Sequence, residues 1–326
     1  LRNIDEYYIG WDPNHADTYN GKVRNQRLGI NYPSISMAIQ YADNSDVLIA
    51  EPNRFYERIN FNNKRITLKS IDPNNPNVVA ATIIDGNNNS SQDVVVFNSG
   101  EDGNSVLEGF TISKGRYGVY STNYSTAAVR KCRIINNING GINCYDGSGI
   151  IRNCWVGYNK YGLLLTMRSC NVENSTFTNN TDGGISNNSG GITLKNCIIS
   201  KNGSYGIDIF GYFEAFTRVY NCTIYGNGGK GIYDSLFCDT EVKNSIIWNN
   251  GDNLDLYSNY EVTYSCIEEL YDEPCGVYTD PVFVDVDSND FHLWYSSPCI
   301  DAGDPCSDYS NEPNGGGGRL DMGAYG

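Results

Sequence analysis

Apolar and polar positions recur along this chain with a long period. The segments VRKCRI, IRNCWV, VENSTF, LKNCII, VYNCTI and VKNSII share one pattern: an apolar residue, any residue, Asn in all but the first, Cys or Ser, any residue, then an apolar residue such as Ile or Phe. The Cys or Ser falls at Cys132, Cys154, Ser175, Cys197, Cys222 and Ser245, with spacings of 22, 21, 22, 25 and 23, and Phe110 before and Cys266 after are expected to continue the series. A period near 22 residues, rich in β-branched side chains, predicts coils of three short strands that bury a core only by stacking on their neighbours.

The fold class that follows is all-β, a right-handed parallel β-helix. The residue before each Cys or Ser is Asn153, Asn174, Asn196, Asn221 and Asn244, with Lys131 breaking the series at one end. These are expected to form an asparagine ladder, bonding along the axis at about 4.8 Å per coil and accepting left-handed backbone in a tight turn. A second series, Asn137, Asn159, Asn180, Asn202, Asn227 and Asn250, marks a second turn. After it comes Gly with an apolar residue, at Gly118, Gly141, Gly162, Gly184, Gly206 and Gly231, with Asn253 substituting in the last repeat. Alternation within strands points Cys or Ser inward and leaves Trp155, Thr176, Ile198, Thr223 and Ile246 outward.

An open solenoid end needs cover. At the front, Ser34 to Tyr41 reads as a short amphipathic helix with Ser34 or Ser36 as N-cap, followed by the strand DVLIAE. At the back, from about Cys275, the repeat gives way to Pro, Gly and Asp-rich chain. The expected division is an N-terminal segment with its helix over 1–45, the β-helix over 46–270, and a C-terminal cap over 271–326.

Charge narrows the partners. Twenty-three Lys and Arg against 38 Asp and Glu give a net −15 with no basic block, so neither nucleic acid nor an anionic membrane is an expected partner. No apolar stretch reaches membrane-spanning length, and LRNIDEYYIG lacks the features of a signal peptide, as in a mature or trimmed chain. Of the 11 cysteines, four share one position of the repeat, which reads as a buried column rather than a redox or metal site. There is no CxxC pair, His292 has no second histidine nearby, and GNGGKG at Gly226–Gly231 lacks the Walker spacing. Cys299 and Cys306 are candidates for a tail disulfide in an exported protein, with Cys275 a competing partner.

The capping helix, the NC repeats, and a tail reading DPVFVDVDSNDFHLWYSSPCIDAGDP then GRLDMGAYG together resemble the pectate-lyase-like superfamily of right-handed parallel β-helices, over nearly the whole chain. The tail is similar to those of secreted and surface proteins of environmental bacteria. The resemblance implies extracellular or cell-surface work on polysaccharide. It carries over no catalytic residue: the Asn-Thr-Asp, Asp-Asp and Gly-His-Gly motifs of polygalacturonases and the Asp-Pro-His-Asp motif of alginate epimerases are absent, and no carboxylate cluster aligns with a pectate-lyase Ca²⁺ site.

The ligand face is therefore read from the repeat itself. Loops after the Gly-Ile strand vary most in length, which places the candidate groove along that strand. Asp208 and Asp255, two coils and about 9.6 Å apart, suit an acid and base pair across a sugar, with Tyr233 between them as a third catalytic candidate. Tyr145, Phe210, Tyr212 and Tyr257 are candidate sugar platforms, with Arg168 and Glu214 in the adjoining loops. Asp285, Asp287, Asn289 and Asp290 offer alternating hard oxygen ligands for Ca²⁺. No other cofactor is expected. The expected function is a polysaccharide-active protein, lyase-like or glycoside-hydrolase-like, that binds an extended glycan along the Gly-Ile strand face; the alternative is a non-catalytic cell-surface or self-assembling structural rod.

Overall fold

A computed structural model describes residues 21–211, 215–235, 238–257, 259–268, 275–310 and 317–325. Three long sheets run the length of a parallel solenoid, with one strand of each per coil. Sheet I has 12 strands, sheet II has 10 and sheet III has 9. All neighbours pair in parallel except at the front, where Val23–Asn25 pairs antiparallel with both Ile30–Tyr32 and Val47–Ala50.

The apolar repeat becomes three columns of stacked aliphatic side chains. In sheet I the inward column runs Leu48, Leu68, Leu107, Val129, Ile151, Val172, Leu194, Val219, Val242, Val262. Sheet II supplies a run from Ile84 to Ile267, and sheet III a run from Val95 to Leu254. The fully buried members remove nearly all their surface from water, each stabilising the fold by about 1.5–3 kcal/mol relative to exposure.

The two asparagine series divide the work that sequence reading assigned to one. Asn153, Asn174, Asn196, Asn221 and Asn244 have φ between 49° and 54°, and Lys131 and Tyr264 share that conformation, so this series makes the single-residue left-handed turn from sheet I to sheet II. The amide ladder belongs to the second series. Asn180 Oδ1 accepts from both the backbone N–H (3.1 Å) and the side-chain amide (3.3 Å) of Asn159, while its own amide donates to Asn202 Oδ1 at 2.9 Å. The same pattern links Asn137 through Asn159 at one end and Asn202 through Asn227 to Asn250 at the other. A buried column of this kind satisfies backbone groups that the sharp turn would otherwise orphan.

The glycine series is dictated by space. A Cβ on Gly162 would lie 2.4 Å from the carbonyl oxygen of Gly184, and one on Gly184 would lie 2.7 Å from that of Gly206. At these two positions the next coil approaches too closely for a side chain.

Two helices stand out among the described residues. α1 (Ile35–Tyr41) has Ser34 as N-cap, its side chain accepting from Met37 N–H, and buries Ile35, Ala38 and Ile39. α2 (Pro76–Ala81), not foreseen from the sequence, starts with Pro at its first position and lies against sheet II, where Thr111 Oγ1 donates to Val79 O at 2.9 Å.

Three expectations are corrected at the back of the solenoid. The Cys/Ser column continues to Ser265, whose hydroxyl accepts from Ser245 N–H, whereas Cys266 pairs with Ile246. Thr223 and Ile246 face outward but are buried, because the C-terminal segment folds back along the outside of sheet II: Ala324 N–H donates to Thr223 Oγ1, and Ile246, Cys266, Cys299 and Met322 form a second apolar cluster. Ile198 is likewise buried. The Cys299–Cys306 disulfide is not formed, and none of the 11 cysteines is in a disulfide; Cys299 is buried beside Cys266, and Cys306 and Cys275 are exposed.

Candidate functional site

On sheet III, inward and outward positions alternate as the repeat requires. One outward column runs Tyr120, Asn143, Leu164, Ser186, Asp208, Tyr233, Asp255. Within this column Asn143 and Ser186 are each only 8% exposed. Asp208, Tyr233 and Asp255 occupy three successive coils, so the three catalytic candidates do come together.

Asp208 is a half-buried carboxylate with no hydrogen-bond or ion-pair partner among the described residues. Burial, together with the negative charge of Asp182, pushes its pKa up to about 6. Tyr161 stands on the same face, its phenol pushed up to about 12 by burial and by Asp182 alongside. Beyond Asp208, Tyr233 stacks on Tyr205 with centroids 5.6 Å apart and meets Tyr257 edge-on at 6.5 Å. The Lys230 ammonium lies 4.4 Å from the Tyr233 ring centre and is ion-paired with Asp255. The face thus combines a proton-holding carboxyl, a fixed ion pair and a row of rings.

These elements sit on an architecture that comparison with known proteins identifies. The family described as "Right handed beta helix region" matches residues 167–292. The crystal structure of pectate lyase Pel9A superimposes with a TM-score of 0.71 over 96% of this chain and 94% of that one, at 16% sequence identity. The fold is that of a pectate-lyase-like right-handed parallel β-helix. No curated protein matches the sequence.

Other candidates are dispersed along the β-helix. Phe210 lies two residues beyond Asp208 on the same strand and is 37% exposed, and Tyr257 is 65% exposed at the next loop edge but one. Tyr145 shares Phe210's column three coils earlier, about 14 Å away along the axis. Arg168 is engaged at that far end: its Nε is 3.2 Å from Asp146 Oδ1 and its guanidinium covers the Tyr124 ring at 4.2 Å. Tyr212 and Glu214 lie outside the described residues.

The acidic run of the tail closes a β-hairpin, Phe283–Asp285 with Asp290–Leu293. Asp285 accepts from the Ser288 hydroxyl and from the Asp287 and Ser288 N–H groups, and Asp290 accepts from His292. Hydrogen bonding from Ser288 and from His292 respectively holds these two carboxyls below the ordinary aspartate value. Asn289 takes the left-handed turn position, with φ 63°. Among the described residues no three His, Cys, Asp or Glu side chains gather as a metal site requires.

Tyr161, Asp182 and Tyr205 were not singled out from the sequence. The signal was present in the Tyr-Gly pairs Tyr117-Gly118, Tyr161-Gly162 and Tyr205-Gly206, which place a ring just before the glycine of alternate coils.

Proposed function

We propose that this protein is an extracellular or cell-surface polysaccharide-active β-helix that holds an extended glycan along sheet III. The observation that carries the reading is Asp208: a half-buried carboxyl without a hydrogen-bond or ion-pair partner among the described residues, on an aromatic-lined face, whose proton is retained to about pH 6. A carboxyl poised this way serves as a general acid toward a leaving glycosidic oxygen. Asp255 lies two coils on, about 9.6 Å away along the backbone, close to the 6.5–9.5 Å that leaves room for an attacking water between two carboxyls. Tyr205, Tyr233 and Tyr257 offer ring faces to sugar C–H surfaces, and Tyr233 sits where a scissile residue would rest between the carboxyls. Glycoside-hydrolase-like cleavage is thus the favoured reaction.

The test is a panel of uronic-acid and neutral polysaccharides, with and without Ca²⁺, followed by reducing-sugar release and by ultraviolet absorbance of unsaturated ends. Reducing ends without unsaturation are expected, and Asp208→Asn is expected to lower turnover at least 100-fold while glycan binding persists. Unsaturated products would replace hydrolysis by lyase-like elimination. Silence on every substrate, or full activity in Asp208→Asn, would overturn the catalytic reading in favour of a structural rod.

A further inference from the structure

Away from sheet III, the outer face of sheet II is covered at both ends, by α2 at the front and by the returning C-terminal segment at the back. Between them lies an open groove of about 520 Å³, within the size range of small-ligand sites. Pro73, Pro76 and Val79 form one wall, and Lys131, Arg133 and Trp155 the other. The wall is stiff: Pro73 packs so tightly on Gly109 that a Cβ there would lie 2.7 Å from it, and Val79 is tied to Thr111.

The chemistry of this groove differs from that of the protein around it. The chain carries a net −15, yet two cations line this wall. Lys131 is neutralised by Glu108 at 2.9 Å. Arg133 forms no ion pair among the described residues; its guanidinium lies 5.3 Å from the Trp155 ring centre, on the neighbouring coil. An indole beside an unneutralised guanidinium presents an apolar platform for one face of a pyranose and a two-pronged donor for a carboxylate on its rim.

We infer that this sheet II groove is a second, non-catalytic carbohydrate site, which binds an acidic oligosaccharide by stacking a uronic-acid residue on Trp155 and pairing its carboxylate with Arg133. A glycan held there would be anchored on a face separate from the Asp208 site, retaining the protein on an acidic polymer. Retention of this kind raises the effective concentration of further segments at sheet III without any change in chemistry there.

The test measures binding of a galacturonic-acid hexamer and of its carboxyl-reduced counterpart by calorimetry. An Asp208→Asn, Tyr233→Ala background removes turnover and weakens the sheet III face. In that background the acidic hexamer is expected to bind at least tenfold more tightly than the reduced one. Adding Trp155→Ala should weaken both at least tenfold, and adding Arg133→Gln should abolish the preference for the acid. Arg133 forms no ion pair among the described residues, so its replacement is expected to leave folding intact and decides the matter even if the Trp155 variant does not fold. In the otherwise unmodified protein, neither substitution should alter cleavage of a short soluble substrate. Unchanged hexamer affinity in Arg133→Gln, or equal affinity for the two hexamers, overturns the inference, while absence of turnover on every substrate bears only on Asp208.

Discussion

Replacing Asn180 by Ala tests which asparagine series holds the coils together. The Asn180 side chain makes bonds to four groups, accepting from Asn159 N–H and the Asn159 amide and donating to Asn202 Oδ1 and Val156 O, and it is 1% exposed. Asn202 Oδ1 keeps a second donor in Asn180 N–H, but the Asn159 N–H loses its acceptor in a buried site. An orphaned buried donor costs about 1–3 kcal/mol, and each of the three further lost bonds about 0.5–1.5 kcal/mol, so the expected loss is about 2.5–7.5 kcal/mol. Asn174→Gly is the matched control. Asn174 is exposed, its φ is 49°, and its side chain makes no hydrogen bond among the described residues, so glycine at this left-handed position should change stability by less than about 0.5 kcal/mol. Urea unfolding followed by tryptophan fluorescence and far-ultraviolet circular dichroism gives both values. If Asn174→Gly proves as damaging as Asn180→Ala, the separation of turn-forming from ladder-forming asparagines is wrong.

Asp208 should cost stability where it serves chemistry. Its folded pKa of about 6 lies above the ordinary aspartate value of 3.8, so the folded state binds the extra proton and stability falls as pH rises from about 4 to 6. Asp208→Asn should therefore raise stability at pH 8 by up to about 3 kcal/mol and leave it nearly unchanged at pH 3.5, as thermal melts across pH would show. Gly184→Ala should fail to fold or lose at least about 3 kcal/mol, because its Cβ would meet backbone oxygen of the next coil at 2.7 Å; a normal melting curve would refute the steric account. A thiol reagent should label Cys275 and Cys306 quickly in the native protein and the remaining nine only after denaturation, and fast labelling of Cys197 or Cys222 would contradict the buried column.

The fold was legible because its period is. Val129, Ile151, Val172 and Leu194 recur at coil spacing in the sequence and stack at coil spacing in space, so a one-dimensional pattern maps directly onto sheet I. The sequence does not say which asparagines form the ladder, because both series are asparagines recurring with the same period, six residues apart. What separates Asn174 from Asn180 is whether the side chain points out of a one-residue corner or into the core, and that depends on φ at the residue itself. The buried state of Thr223 and Ile246 was hidden for another reason. Alternation predicts which side of a strand they occupy, but only a segment about 100 residues distant decides whether that side is wet. At the site, Asp208 and Asp255 were readable as outward carboxyls on one column. The field raising the Asp208 pKa comes partly from Asp182, in the turn of the preceding coil, whose proximity to Asp208 no strand alternation reveals.

The returning C-terminal segment also sets how the molecule carries load. It leaves the last coil at the Cys266–Val277 bridge and then travels back to grip earlier coils, with Asp304 and Gly323 N–H bonded to Asn244 and Ala324 to Thr223. Tension applied to the chain beyond Ala324 is thus borne first by the tail's sideways attachments to those coils. The coil at the solenoid's rear edge is in mechanical shadow, and it is strained only after Thr223, Ile246 and Asn244 have let go. A solenoid built to unzip one rung at a time has, at this end, been given a clasp that must be peeled open before the first rung can move.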